Sequence, residues 1–215
     1  MVPDLCTLCA SKDVAHFAEV RGRVYWRCAS CRLVFVAESE HLSRDEEAAV
    51  YDLHENSPND EGYVAFLSRL VDPLTPYLGG AKNLLDFGCG PGPALGSILR
   101  ARNLDVDVVE YDPIYQPSTL EVDRAFDVIV ATEVIEHARR PRELFEQCRG
   151  LLRRGGVFAV MTETRLADRD FSAWWYVRDP THIAFYEEWT FRVVAEIFSW
   201  RVEIPRKNVA FFRSE

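Results

Sequence analysis

The chain has 215 residues, 48% of them hydrophobic, with 25 Lys and Arg against 34 Asp and Glu and a formal net charge of −9. This length suits one α/β domain with a small appendage, and no apolar run exceeds strand length, which argues against a membrane span. The acidic balance lacks the basic footprint of a nucleic-acid enzyme, and the absence of a secretory signal makes a cytoplasmic protein the expectation.

The first distinctive pattern is Cys6-x-x-Cys9 and Cys28-x-x-Cys31, separated by eighteen residues. This is the spacing of a four-cysteine zinc ribbon, in which each short loop puts two thiolates on one side of a tetrahedral ion. Val14–Val20 and Arg23–Arg27 read as strands about Gly22, with Leu33–Val36 as a third. So few residues cannot build a useful core without a staple. Two disulfides or a redox pair are the alternatives. Disulfides want a secretory route, and a redox pair is expected at a helix start in a larger fold. The expectation is a zinc-ribbon module over residues 1–40, with Cys6, Cys9, Cys28 and Cys31 as ligands. Residues 1–36 carry five Lys and Arg against three Asp and Glu, hence +2, and the remainder twenty against thirty-one, hence −11. Four thiolates around one zinc would neutralise the ribbon. Arg21, Arg23, Arg27 and Arg32 then read as a solvated face rather than a nucleic-acid patch. Cys89 and Cys148 fit no pairing pattern, and Cys148 lies at an apolar helical position.

A second module spans 41–215. Ser43-Arg44-Asp45-Glu46 is a helix start with a capping box. Glu61–Val71 shows Tyr63, Phe66, Leu67, Leu70 and Val71 at helical spacing, with Asn59 or Asp60 before it. Tyr51–Pro58 between them is polar and aromatic without period. Ala81–Phe87 reads as a buried strand. It runs into Gly88-x-Gly90-x-Gly92 and then a helix over Ala94–Arg100, with Pro93 in its first turn. Glycines there let the backbone take unusual angles and lie against a ligand. The spacing is not the G-x-G-x-x-G of a pyrophosphate loop, and the Gly-Lys-Ser/Thr of a Walker A loop is absent. A strand over Val106–Tyr111 ends at Asp112-Pro113. Asp112, or Glu110 two residues earlier, is placed to hold ribose hydroxyls. Phe126–Ala131 is the next strand, followed by Thr132-Glu133-Val134-Ile135-Glu136-His137. A helix over Pro141–Leu152 ends at Arg153-Arg154-Gly155-Gly156, and Val157–Thr162 is a further strand.

Leu85-Asp86-Phe87-Gly88-Cys89-Gly90-Pro91-Gly92, then Phe126-Asp127-Val128-Ile129 with Glu133-Val134-Ile135-Glu136-His137, then Leu151-Leu152-Arg153-Arg154-Gly155-Gly156, resemble in order the motifs of class I S-adenosylmethionine-dependent methyltransferases. The likeness covers roughly residues 45–215 and leans toward ubiquinone-type O-methyltransferases and zinc-bearing sugar methyltransferases. It implies a Rossmann-like, mostly parallel α/β sheet. It also implies a cofactor site built from Tyr51, Asp86, Gly88, Cys89, Gly90, Gly92, Glu110, Tyr111, Asp112, Thr132 and Glu133. In such enzymes the segment before the first strand folds over the methionine end of the cofactor, so Tyr51, His54 and Asn56 are candidate lid residues, or else caps of a surface loop. The chain departs from the family between Asp112 and Phe126. Thirteen residues there are too few for a helix and a strand, so the sheet edge should be shortened. Leu120, Glu121 and Val122 stand where an adenine-binding acid is usual.

Glu163–Glu187 leaves a strand end and holds Trp174, Trp175, Tyr176, Asp179, His182, Phe185 and Tyr186. Its Asp179-Pro180-Thr181-His182 resembles a stretch that small-molecule methyltransferases carry before the last core helix, here Glu187–Phe198. Trp200–Ile204 and Val209–Phe212 form a closing antiparallel pair. A hydroxyl acceptor needs a base, and histidine as a residue type titrates near neutral pH, which makes His182 and His137 the candidates. Asp179 and Tyr186 flank His182 in sequence and complete the catalytic candidates. The expected function is methyl transfer to a hydroxyl oxygen of a small molecule. An RNA base methyltransferase and a non-catalytic cofactor-binding regulator are the alternatives.

Overall fold

The computed structural model describes residues 2–52, 57, 59–92, 94–116, 120 and 125–214. His54, Asn56, Pro93, Glu121 and Val122 lie outside the described residues. The N-terminal ribbon is β1 (Val14–Val20), β2 (Arg23–Cys28) and β3 (Val34–Val36), followed by α1 (Arg44–Tyr51) and α2 (Glu61–Leu78). The larger body continues with β4 (Asn83–Phe87), α3 (Leu95–Ala101), β5 (Asp107–Tyr111), β6 (Phe126–Thr132), α4 (Pro141–Leu151) and β7 (Leu152–Met161). It closes with β8 (Ala184–Phe185), α5 (Glu188–Phe198), β9 (Trp200–Arg206) and β10 (Val209–Ser214).

Six strands form one sheet in the order β5-β4-β6-β7-β10-β9. The first four are parallel, and β10 runs antiparallel to both β7 and β9. Among the described residues no strand lies outside β5. Residues on these strands alternate between two cores. Leu84, Val128, Val130 and Ala159 pack against Leu67, Leu70 and Leu74 of α2 and Ile98 of α3. Leu85, Ile129, Phe158 and Val160 pack against Phe145 and Cys148 of α4 and Phe191 and Phe198 of α5. This is the three-layer α/β arrangement.

Two elements differ from the sequence expectation. Helix α2 does not stop at Val71 but runs through Pro73 and Pro76 to Leu78. An interior proline costs roughly 3 kcal/mol. Leu74 and Leu78, fully or almost fully buried, contribute roughly 1.5–3 kcal/mol each toward the cost of the two prolines. The Thr75 hydroxyl also donates to the Val71 carbonyl at 2.9 Å. Strand β7 begins directly at Leu152, and Gly155-Gly156 lie inside it as an irregularity of the β6 pairing rather than in a loop. A Cβ on Gly156 would stand 2.9 Å from the carbonyl oxygens of Arg153 and Asp127, so only glycine fits this crossing.

The ribbon is joined to the larger body. Strand β3 pairs antiparallel with β8, making the four-stranded sheet β1-β2-β3-β8. Trp26, Leu33 and Phe35 share the core of α4 and α5.

Candidate active site

The strand order reverses between β4 and β6, and ligands of open α/β sheets sit beyond the strand ends at such a point. A cavity of about 960 Å³ opens there, lined on one side by Asp86, Gly88, Cys89, Gly90, Tyr111, Asp112, Thr132 and Glu133 and on another by Tyr51, His137, Tyr176, Asp179 and His182. The sequence candidates therefore converge, except Gly92, Glu110 and Tyr186, which are not among the lining residues.

On the first side the glycine turn is built against β5. Gly88 and Gly90 have φ of +78° and +69°, the left-handed region that glycine tolerates. The N–H groups of Gly88 and Cys89 both donate to the Tyr111 carbonyl, at 2.7 and 3.1 Å. A Cβ on Gly88 would lie 2.5 Å from Cγ2 of Val134. Gly92 completes the same bend. Asp112 is nearly buried and accepts three backbone hydrogen bonds, from Gly90 at 3.0 Å, Ile114 at 2.8 Å and Tyr115 at 3.1 Å. It ties the glycine turn to the end of β5 as well as facing the cavity. Glu110 points instead toward α3, its Oε1 3.6 Å from where Gly96 would carry a side chain. Burial, and then the charges of Glu110 and Asp112, push Asp86 up to about 7. Burial likewise raises the Cys89 thiol to about 12, which removes it as a nucleophile at neutral pH. The Thr132 hydroxyl is buried with no hydrogen-bond partner among the described residues.

Glu133 stands between the two sides, with φ of +51° and its carboxyl 2.9 Å from the Tyr176 hydroxyl. Burial, reinforced by the charge of Glu136, raises its pKa. Glu136 is fully buried; one carboxylate oxygen accepts from Tyr176 and the other, Oε2, has no partner among the described residues. His137 and His182 face each other, ring centroids 4.8 Å apart. Each has Nδ1 against a backbone carbonyl, Thr181 at 3.2 Å for His137 and Tyr176 at 2.8 Å for His182. Nδ1 is thereby the protonated nitrogen of the neutral ring, and Nε2 is left to accept. One donor atom from each of Glu136, His137 and His182 lies within 4.8 Å of the others, a set that could also hold a cation. Burial lowers the pKa of His182 below its usual value. Asp179 stands 3.8 Å from His182 Nε2, while its Oδ1 accepts from Thr181. Tyr51 packs edge-on against His137, at 5.2 Å, and its hydroxyl donates to Glu47.

Tyr186 is the third exception. It is fully buried and its hydroxyl donates to the Ile135 carbonyl at 2.9 Å, which fixes the turn before His137 rather than reaching the cavity. Two residues that sequence reasoning left without a role belong here. Glu136 stood inside a quoted motif, and its burial next to two histidines is a product of folding. Tyr176 sat among several aromatics with no signal to single it out.

The four ribbon cysteines form a separate cluster, with Sγ atoms of Cys6 and Cys31, and of Cys9 and Cys28, 3.5 Å apart. A disulfide would need about 2.05 Å, whereas tetrahedral Zn–S bonds of about 2.3 Å place sulfurs about 3.8 Å apart. Ala10 and Arg32, each following the second cysteine of its pair, both adopt left-handed φ, 58° and 62°. The two knuckles thus share one conformation.

The profile of the family described as "Methyltransferase domain" matches residues 60–203. The chain is 27% identical over 111 residues to ubiquinone biosynthesis O-methyltransferase of Glaesserella parasuis serovar 5 (strain SH0165), covering 40% of this chain and 47% of that protein. It therefore spans about half the length of this curated relative. Among solved structures, a SAM-dependent methyltransferase from Archaeoglobus fulgidus superposes with a TM-score of 0.50 at 19% identity, over 65% of this chain and 71% of that one. The plantazolicin methyltransferase BpumL, solved with a monoazolic desmethylPZN analog and SAH, gives 0.50 at 12% identity, over 80% and 90%. No helix among the described residues is long and apolar enough to cross a membrane. With the family matched over most of the chain and the sheet order in agreement, the chain belongs to the methyltransferase-domain family and carries the class I S-adenosylmethionine-dependent methyltransferase fold.

Proposed function

We propose that the protein transfers a methyl group from S-adenosylmethionine to a hydroxyl oxygen of a small-molecule acceptor. The observation that carries this reading is the pair of facing imidazoles, His137 half-buried and His182 buried, oriented by backbone carbonyls, backed by the buried Glu136 carboxylate and lining the same cavity as the glycine turn. The first side fits the methyl donor. The turn has room only for backbone at Gly88, the Thr132 hydroxyl awaits a partner, and Asp86 and Asp112 offer acceptors. Bound there, S-adenosylmethionine supplies a methyl on a cationic sulfur, already a good leaving group. The protein's part is to hold an acceptor hydroxyl in line and to take its proton on Nε2 of a histidine. Tyr51, Tyr176 and the histidines line the second side. An acceptor carrying a hydroxyl needs such a base, whereas a thiolate does not. The net charge of −9 favours a small molecule over RNA.

A tritium-transfer screen over hydroxylated metabolites, with RNA in parallel, tests the reading. Label in RNA alone, or binding without transfer to any acceptor, would replace it by one of the alternatives. Divalent ions and EDTA belong in the same screen, because an ion-dependent rate would mean that Glu136, His137 and His182 act by holding a cation. Asp112→Ala is expected to weaken binding of S-adenosylhomocysteine by about tenfold or more, since the carboxylate fixes the Gly90 amide as well as facing the ligand. Titration calorimetry measures this, and unchanged affinity would leave Asp112 outside the cofactor site.

The four-cysteine cluster is assigned one structural zinc per chain, supported by the sulfur spacing and the matched knuckles. Cys28→Ser is expected to lose the metal and unfold the ribbon, because metal binding supplies most of the folding energy of so small a unit. Elemental analysis finding no zinc, with two disulfides by mass, would overturn the assignment.

A further inference from the structure

The acceptor side of the cavity is carried by a segment with little regular structure of its own. Between β7 and α5 the described residues hold a 3-10 turn at Trp175–Arg178 and the two-residue β8. Such a segment must find its backbone partners elsewhere, and several of them come from the ribbon. The Val36 amide donates to the Ile183 carbonyl at 3.0 Å, and β3 pairs Val34 with Phe185 and Phe35 with Ala184. Arg23, at the start of β2, donates from Nη1 to the carbonyl of His182 itself at 3.2 Å. Tyr25 of β2 packs edge-on against Phe185 at 5.7 Å. Only Arg32 and Leu33 separate Cys31 from β3. The glycine turn, in contrast, takes its hydrogen bonds from β5 and Asp112.

We propose that the ribbon is the back wall of the acceptor site, with Arg23 as a positioning residue that holds the His182 backbone. It works through two joints. Strand β3 extends the ribbon sheet into 183–185, and the guanidinium pins the carbonyl of the residue just before it. His182 then has its main chain held by the ribbon and its ring held by Tyr176. Loss of the Arg23 contact leaves the glycine turn intact and frees the imidazole from the cavity wall. This rests on the reading of His182 as an acceptor-side group, but the assignment of the methyl donor does not depend on it.

The test uses the full-length, metal-loaded protein, with S-adenosylhomocysteine as the probe of the first side. In Arg23→Ala, amide exchange followed by mass spectrometry should rise at least tenfold in peptides covering 179–186 and stay unchanged in those covering 84–92. Affinity for S-adenosylhomocysteine should stay within twofold. The ring resonances of His182, assigned by their loss in a His182→Gln spectrum, should shift in Arg23→Ala and return in Arg23→Lys, which retains a donor. Arg23→Met keeps the aliphatic stem and replaces the alanine variant should that fail to fold. Unchanged exchange in 179–186 would overturn the proposal. So would an equal rise in both segments, or an unmoved His182 signal. Failure of the unmodified protein to bind S-adenosylhomocysteine would overturn the methyl-transfer reading instead, whatever the exchange pattern.

Discussion

Gly88→Ala is expected to lower the affinity for S-adenosylhomocysteine by at least a hundredfold. Two effects act on the same atom. The left-handed φ of +78° costs a residue with a Cβ roughly 1–2 kcal/mol. The new methyl also meets Val134 Cγ2 at 2.5 Å, and relieving such overlap in a packed region costs typically 1–3 kcal/mol. The turn has little freedom to absorb this, since the amides of residues 88 and 89 are both bonded to Tyr111. The strain therefore displaces the surface that faces the ligand. Titration calorimetry gives the affinity, and a thermal melt in the absence of ligand shows how much of the cost falls on stability. The double variant Gly88→Ala/Val134→Ala separates the two effects. It should regain the part due to overlap and keep the part due to φ. Near-native affinity in the single variant would mean that the turn does not approach the ligand.

The features read correctly from the sequence share a physical origin: each is determined by residues close together in the chain. Ser43 and Glu46 make their capping box within one turn, the glycine turn follows directly from β4, and the paired cysteines define their knuckles by local spacing. What the sequence did not reveal depends on distant partners. The helical spacing read only as far as Val71, yet burial of Leu74 and Leu78 against the sheet carries α2 on to Leu78. Asp112 read as a ribose ligand, but its hydrogen bond to Gly90 arises only when β5 lies beside β4. The ribbon read as a separate module because nothing in Val34–Val36 announces that β8, some 150 residues later, is its partner. The same applies to the acceptor side. Glu136 and His137 belong to one motif and His182 to another, and the two loops are drawn together by hydrogen bonds of Ile183 and Tyr176 to Glu136, of His137 to Thr181 and of Tyr186 to Ile135.

That convergence sets up the second large effect. His182→Ala is expected to lower the turnover of methyl transfer by roughly a hundredfold or more, the usual contribution of a positioned base. Cofactor affinity should hardly change, because His182 is not among the residues proposed to hold the methyl donor. The pH dependence follows from the environment of the ring. Desolvation lowers its pKa, opposed by the charges of Glu136 and Asp179 and assisted by His137. A lowered value keeps the imidazole neutral, and able to accept, at pH 7. Turnover should then fall only as the pH drops below the ordinary histidine value of about 6.5, and this acid limb should vanish in the variant. The side chain lines the cavity, so added imidazole should restore part of the lost rate. Single-turnover measurements with the acceptor found in the screen decide between the roles open to this residue. A slow chemical step with normal acceptor binding marks a base. A normal step with weak acceptor binding would reduce His182 to a wall of the pocket, leaving His137, whose Nδ1 is pinned in the same way, as the group to vary next.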